Sequence, residues 1–300
     1  MSSTSQTHYT VEKLSPFVHC IREVSTNLLM YLIVGDERAV LIDTGSGSGN
    51  LYDFIQNQRL LPAKMKLLVI NSHNHAEQTG ANYQFSANGK AGKSHCVEDL
   101  CASGADRKYT LKLDSTFDWQ VKPYKITRWL KHGEVVKLGK NANITVHYGP
   151  GHTPDATFLV FAADNRLFIG DTFHQFDEIL LTYERSSIKQ LIQTIGSILK
   201  VINESDKPRE MRFSASKTDS NSPCLPMLKN YQRFLFSIVA GVQKEIPLRI
   251  DEHEGSRFES RDKLMKVVLS RNLMAQLKLA RTARDDSSVQ SSPAESNSTL

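Results

Sequence analysis

A short segment that is apolar along its whole length, residues 67–70, constrains the fold of this chain more than any other. A strand without polar residues on either face is typical of sheets that are covered on both sides, as in α/β proteins. A β-branched run over 39–42 and a segment with helical spacing over 51–58 precede it. The order strand, helix, strand therefore predicts an α/β fold.

Apolar periodicity predicts the remaining elements. Short apolar runs bounded by Gly, Asn or Asp predict further strands over 17–21, 27–34, 135–138, 144–147, 157–162, 167–169 and 211–213. Amphipathic spacing predicts helices over 79–85, 96–103, 187–201, 225–242 and 261–279. The strands between 135 and 169 indicate a second sheet region that follows the first.

The pattern and the composition together divide the chain into four regions. Residues 1–14 and the Ser-rich stretch 282–300 hold few apolar side chains to bury, so we expect a flexible N-terminus and a disordered tail. Residues 15–243 are expected to form one α/β domain, because 300 residues with 40% hydrophobic content can bury a sizeable core. Residues 244–281 are expected to add a helical extension, for which the sequence indicates no partner.

Charge and cysteine content narrow the class of protein. The 37 basic and 32 acidic residues give a formal charge of only +5, spread along the chain, which does not indicate nucleic-acid binding. No apolar run approaches the roughly 20 residues that a transmembrane helix needs. Four cysteines without a CxxC pair suit reduced thiols, so we expect a cytoplasmic protein.

Histidines and an aspartate follow three of the predicted strands. His73 and His75 come directly after 67–70, His152 lies in a Gly/Pro loop after 144–147, and Asp171 follows 167–169. Strand ends are where α/β proteins usually build their sites. Among ten histidines, an HxH pair alone would more often be a surface or packing feature. The two later loops add independent signals of a metal site.

Four motifs carry a resemblance to a known family: LIDTG at 41–45, HxH followed by TGxN at 73–82, GHTPD at 151–155 and GD at 170–171. In this order and spacing they resemble the metallo-β-lactamase superfamily over about residues 15–240. The segment FIGDTFHQFDEILLTYERSSIKQLIQT is similar to the acyl-CoA thioesterase branch of that superfamily. The resemblance implies an αββα sandwich, in which two mixed sheets pack face to face with helices outside.

The resemblance also implies a metal centre. It maps the family's first set of ligands onto His73, His75 and His152, and it makes Asp171 the carboxylate ligand that usually bridges the first and second metal positions. Neutral imidazoles suit zinc, and three protein ligands leave a position for water, whose pKa the cation lowers to about 7. We therefore expect one zinc ion as the cofactor.

The family's second metal site is degraded in this sequence. Glu77-Gln78 stands where the family has Asp-His, and Ala215-Ser216 stands where it has a late Gly-His. An amide and a hydroxyl are poor ligands, so a second tightly bound zinc ion is not expected. His174 offers a substitute ligand, although a loop histidine is more often exposed.

Two further residues are candidates for supporting roles. The resemblance implies that Asp43 orients the metal ligands without binding the metal itself. The alternative is that Asp43 is a turn residue at the end of a strand. His95 either faces the cleft, as in the thioesterase branch, or belongs to the core or surface.

The resulting hypothesis is a single-metal hydrolase that attacks a small acyl thioester with metal-bound hydroxide. Asp171 would orient the hydroxide, and Glu77 would act as the base. A thiolate, whose thiol has a pKa of about 8.5, leaves without help from a second cation, unlike an amide nitrogen. Thioester hydrolysis therefore suits one metal ion better than β-lactam or phosphodiester cleavage.

The rival hypothesis is a non-catalytic binding protein that has kept the fold while its second metal site decayed. The intact His73, His75 and His152 favour an enzyme, because a scaffold has no chemical need for an open metal site. A nuclease of the same fold would need two metal ions and a basic groove, and the sequence indicates neither.

Overall fold

Three sheets and eight α-helices make up the part of the chain that the computed structural model describes, which is residues 7–93, 96–112, 121–250 and 253–290. The strands are β1 (Tyr9–Lys13), β2 (Val18–Glu23), β3 (Leu29–Val34), β4 (Arg38–Ile42), β5 (Lys66–Ile70), β6 (Val97–Ser103), β7 (Arg128–Leu130), β8 (Val135–Lys137), β9 (Asn143–Tyr148), β10 (Thr157–Phe161), β11 (Arg166–Gly170), β12 (Glu178–Leu181), β13 (Arg212–Ala215), β14 (Ser222–Pro223), β15 (Ile246–Ile250), β16 (His253–Glu259) and β17 (Lys266–Ser270). The helices are α1 (Leu51–Asn57), α2 (Ala76–Thr79), α3 (Asn82–Phe85), α4 (Lys90–Lys93), α5 (Arg107–Thr110), α6 (Ile188–Glu204), α7 (Met227–Val239) and α8 (Arg271–Gln290).

The first sheet contains β1 to β7 in chain order. Strands β1 to β4 form an antiparallel meander, and β4 to β7 run parallel to one another. Helix α1 provides the crossover from β4 to β5, and the side chain of Asn50 caps its N-terminus. Ile42 pairs with Ile70 in register, so the residues that follow both strands, Asp43 and Asn71, lie at the same edge of the sheet.

The second sheet has the strand order β14-β13-β11-β10-β9-β8. Apolar side chains from the two sheets meet in one core, among them Ile33 and Leu68 from the first sheet and Ile144 and Phe161 from the second. Helix α1 packs on the outer face of the first sheet, and α6 and α7 pack on the outer face of the second. The predicted sandwich of two mixed sheets with helices outside is confirmed.

A third sheet, β12-β17-β16-β15, takes up most of the extension over 244–281 that was expected to be helical. The helix predicted over 261–279 is wrong before residue 271, where β17 lies, and its remaining residues belong to α8. Val267, Val268 and Leu269 are all fully buried, so both faces of β17 are covered. A strand of this kind gives a continuous apolar run, which periodicity does not distinguish from a buried helix.

The two ends of the chain also differ from the prediction. Tyr9–Lys13, expected to be flexible, is the edge strand β1 and pairs with β2, and the Tyr9 side chain is buried. Helix α8 continues to Gln290, so 282–290 of the predicted disordered tail is helical. Residues 1–6 and 291–300 lie outside the described residues.

A further prediction, a helix over 96–103, is wrong, because Val97–Ser103 form strand β6. Its residues Leu100 and Cys101 are buried, and they pair with Val69 and Ile70 of β5. Pairing with a central strand has overridden the local helical spacing.

The predictions for α1, α6 and α7 and for the strands between 135 and 169 are confirmed within one or two residues at most boundaries. Among the described helices, none combines the length and the apolar character needed to cross a bilayer.

Candidate metal centre

The four predicted ligands lie together where strands of the two large sheets end. His73 and His75 follow β5, His152 lies in the loop after β9, and Asp171 directly follows β11. All four side chains are buried. The sandwich therefore gathers residues that are up to 98 positions apart in sequence into one cluster.

Atoms of these side chains face one another at distances that suit a metal ion. The four ligand atoms all lie within 4.8 Å of one another, and we call this group the four-ligand cluster. His75 Nδ1 is 3.0 Å from His73 Nε2 and 3.1 Å from His152 Nε2. Asp171 Oδ2 is 3.4 Å from His73 Nε2 and 3.7 Å from His152 Nε2. Zinc bonds of about 2.0–2.1 Å place tetrahedral ligand atoms roughly 3.3–3.4 Å apart, so the residues fit zinc.

Hydrogen bonds behind two of the rings direct their lone pairs into the cluster. His152 Nδ1 lies 2.8 Å from the carbonyl oxygen of Leu180. Because a carbonyl oxygen only accepts, this nitrogen carries the proton and Nε2 presents its lone pair. His73 Nδ1 lies 3.1 Å from the Ser72 hydroxyl, which in turn donates to Asp43. The Ser72 oxygen therefore accepts from His73 Nδ1, and His73 Nε2 presents its lone pair as well.

Asp43 holds Ser72 in this orientation. Its Oδ1 accepts from the Ser72 backbone at 2.7 Å, and its Oδ2 accepts from the Ser72 hydroxyl at 2.8 Å. Burial raises the pKa of Asp43 to about 8, although the two bonds from Ser72 act in the opposite direction. A cation bound beside His73 favours the ionised carboxylate, so metal binding and ionisation of Asp43 support each other. Asp43 therefore supports the ligand His73 through Ser72, and it is not only a turn residue.

Charge in the cluster suits a divalent cation. Burial lowers the pKa of His73 to about 3 and lowers that of His75 well below its ordinary value, so both rings are neutral at pH 7. Burial opposes ionisation of Asp171, but the Lys217 ammonium and the hydrogen-bond donors Gln78 and Ser216 stabilise the carboxylate, and its pKa lies below its usual range. Three neutral imidazoles and one carboxylate form a donor set that zinc accepts.

Hydrogen-bond donors surround Asp171 where a second metal site was predicted to be lost. Gln78 Nε2 donates to Asp171 Oδ2 at 3.2 Å, and the Ser216 hydroxyl donates to Asp171 Oδ1. Glu77 lies outside the four-ligand cluster, and its Oε2 is 3.1 Å from Lys217 Nζ. The carboxylate that was predicted as a base is therefore held in an ion pair.

His174 is buried, contrary to the expectation of an exposed loop histidine. Its Nε2 lies 3.8 Å from Asp171 Oδ1, and its Nδ1 has no hydrogen-bond partner among the described residues. His174 thus sits beside Asp171 without joining the four-ligand cluster. His95, the other histidine considered from the sequence, lies outside the described residues.

Two residues of the site were missed in the sequence, Tyr183 and Lys217. The ring of Tyr183 lies 4.0 Å from that of His75 and 5.3 Å from that of His152, measured between ring centres. Both missed residues stand two positions after the end of a strand, β12 for Tyr183 and β13 for Lys217. The rule that located the histidines, position directly after a strand, would have found them had β12 been recognised and β13 been extended to Ala215.

A cavity of about 880 Å³ opens beside Tyr183, between the loop that follows β12 and the third sheet. Its volume is within the range of about 300–1,000 Å³ that is usual for small-molecule sites. Arg185, Arg249 and Arg271 line it together with Glu184 and Glu254. The cavity thus combines guanidinium groups with acidic residues, and Tyr183 is the lining residue that also contacts the histidines.

Comparisons with known proteins agree with this fold. The sequence pattern described as the Metallo-beta-lactamase superfamily matches residues 28–211. The acyl-coenzyme A thioesterase MBLAC2 of Homo sapiens is 27% identical over 195 residues, which cover 58% of this chain and 68% of the relative, and the protein of that name from Bos taurus gives the same values. Among solved structures, the metallo-beta-lactamase from Pontibacter korlensis aligns with a TM-score of 0.56 at 17% identity, over 76% of this chain and 99% of the other. ETHE1 from Myxococcus xanthus aligns with a TM-score of 0.51 at 17% identity, over 74% of this chain and 90% of the other.

Proposed function

Because the chain belongs to the metallo-β-lactamase superfamily, we propose that it is a hydrolase that uses one zinc ion to cleave a small acyl thioester of the acyl-CoA type. The observation that carries the proposal is the four-ligand cluster of His73, His75, His152 and Asp171. A bound zinc ion would supply a nucleophile at neutral pH and polarise the acyl carbonyl.

The leaving group supports a thioester as the substrate. A thiolate departs readily, because its thiol has a pKa of about 8.5, whereas an amide nitrogen needs a proton or a second cation. Around Asp171, Gln78 and Ser216 provide hydrogen-bond donors in place of metal ligands. A site of this composition is suited to the easier leaving group.

Protein groups around the cluster have distinct parts in the proposed reaction. His73, His75 and His152 would hold the zinc ion and leave its fourth position open, and Asp171 Oδ2, which faces the same ring nitrogens, is the acceptor that orients the attacking water. Burial raises the pKa of Glu77, although the Lys217 ammonium opposes this, and a raised pKa brings a carboxylate closer to the range of a general base. The ring of Tyr183 covers His75 and His152 and excludes water from that side.

The cavity beside Tyr183 is the proposed place for the remainder of the substrate. Guanidinium groups recognise phosphate through paired hydrogen bonds, so Arg249 and Arg271 suit a phosphorylated carrier such as coenzyme A. Arg185 forms an ion pair with Asp106, and Arg271 lies 3.1 Å from Glu254. Acidic neighbours therefore hold the guanidinium groups of Arg185 and Arg271 in position.

We also propose a cytoplasmic location. None of the four cysteines, all of which lie in the described part of the chain, forms a disulfide bond, and three of them are buried, which supports a protein of a reducing compartment.

Hydrolysis of acyl-CoA by the zinc-loaded chain tests the proposal, with release of the free thiol as the signal. His152→Ala should lose the metal and at least about a hundredfold in activity, because two histidines and a carboxylate hold zinc poorly against buffer. The matched control is His19→Ala, which removes a half-buried histidine of β2 outside the cluster and should retain both. A zinc-loaded wild type that cleaves no thioester would favour the non-catalytic binding protein, and metal retained by His152→Ala would show that the ligands are misassigned.

A further inference from the structure

Lys217 places a positive charge on the side of Asp171 that faces Glu77. It follows Ser216 just after β13, so the strand that ends beside Asp171 also delivers the lysine. Its Nζ lies 3.1 Å from Glu77 Oε2, and the two side chains are only 23% and 22% exposed. The ion pair is therefore largely shielded from water and is stronger than a surface pair.

The charges around this ammonium are mostly negative. Burial would lower the pKa of Lys217, but Asp171, Glu77 and Asp177 raise it above its ordinary value, so the side chain is charged at pH 7. Among the described residues, Asp219 and the buried His174 are further titratable groups on this side of Asp171. Without Lys217, two neighbouring carboxylates would remain with no fixed cation between them, and close carboxylates repel each other.

The oxygen atoms that a second metal ion would need are already engaged. Ser216 donates to Asp171 Oδ1, Gln78 donates to Asp171 Oδ2, and the Lys217 ammonium holds Glu77 Oε2. Divalent cations bind where several carboxylate oxygens are available together. Of these three engagements, only that of Lys217 adds a full positive charge.

We propose that the Lys217 ammonium is the second cation of this centre, a built-in charge that binds Glu77, compensates Asp171 and closes this side to a second divalent ion. The inference rests on the metal site of the proposed function, but it does not depend on thioester hydrolysis. The chain is accordingly built for one exchangeable divalent ion and one permanent monovalent charge.

Titration of the metal-free full-length chain with Co²⁺ and Zn²⁺ tests this, with bound metal per chain and the Co²⁺ absorption spectrum as readouts. The wild type should bind one ion. Lys217→Met keeps the length of the side chain and removes its charge, which leaves Glu77, Asp171 and His174 as donors. This variant should bind a second ion at least ten times more tightly than any second ion bound by the wild type.

Two control variants separate charge from packing. Lys217→Arg keeps the charge and should bind one ion, and the double variant Glu77→Gln with Lys217→Met removes the freed carboxylate and should return to one. Lys217→Gln is a second neutral substitution, and it should behave as Lys217→Met if the latter folds poorly.

The outcomes distinguish this inference from the proposed function. One ion in the wild type and still only one in both neutral variants would overturn the inference and leave the four-ligand cluster intact. Two ions in Lys217→Arg would overturn it as well. No ion bound by the wild type would refute the proposed metal site, and the inference would fall with it.

Discussion

Ligand orientation in this chain depends on residues that do not themselves contact a metal. The Ser72 hydroxyl lies between His73 and Asp43 and is hydrogen-bonded to both, so the buried carboxylate helps to fix the orientation of the His73 ring. Such partners fix the tautomer of a ligand and raise its basicity. Ser72 and Asp43 therefore help to set which ring nitrogen of His73 presents its lone pair to the cluster.

Replacing Asp43 by Asn should reverse the direction of this hydrogen-bond relay. The amide would donate to the Ser72 oxygen, and the hydroxyl would then donate to His73 Nδ1, which places the ring proton on Nε2. Zinc affinity should fall by about 10–100-fold, as measured by competition with a chromogenic chelator. The matched control is Asp36→Asn at an exposed turn, which should bind zinc like the wild type. Equal affinity in the two variants would show that Asp43 is only a turn residue.

The ligands were predictable from the sequence, whereas the residues around them were only partly so. His73, His75 and His152 each follow a run that is plainly a strand, and the resemblance to the metallo-β-lactamase superfamily brought the three together as one set. Tyr183 follows β12, which the sequence analysis did not recognise, and its contact with the histidines depends on pairing with a strand about ninety residues away.

At the scale of elements, the third sheet is tied to the metal centre. Strand β12 pairs in parallel with β17, with Leu180 opposite Val268, and the carbonyl oxygen of Leu180 receives the His152 ring proton. Pairing of this kind joins residues far apart in sequence, which local periodicity does not report. For that reason β17 and β6 were predicted as helical: both are strands whose burial comes from distant partners.

Shortening a buried side chain of β17 should destabilise the whole fold, because the side chains of this strand lie in the same core as those of α6 and α7. Leu269 is fully buried in that core, and Leu269→Ala should lower the free energy of unfolding by about 2–5 kcal/mol in urea denaturation. The control is Leu279→Ala in α8, a leucine that is 72% exposed and whose loss should change stability by less than about 0.5 kcal/mol. If both variants unfold at the same denaturant concentration as the wild type, the third sheet does not belong to the cooperative core.

At the scale of the whole molecule, the sandwich places one cluster of ligands at the edge where both large sheets end. The first sheet supplies His73 and His75, and the second supplies His152 and Asp171, so neither half forms the site alone. Beside this cluster lie a cavity of about 880 Å³ and a lysine in place of further metal ligands. This combination of a candidate metal centre and a nearby small-molecule cavity is the part of the fold on which the proposed thioester hydrolysis depends.

The most direct measurement is the rate of acyl-CoA hydrolysis by the metal-free chain as zinc is added in known amounts. The rate should start near zero, rise in proportion to zinc and level off at one equivalent per chain, because the proposed reaction uses one ion in the four-ligand cluster. A rate that continues to rise to two equivalents would contradict a one-metal enzyme. The complete absence of hydrolysis at one bound equivalent would contradict the thioesterase itself.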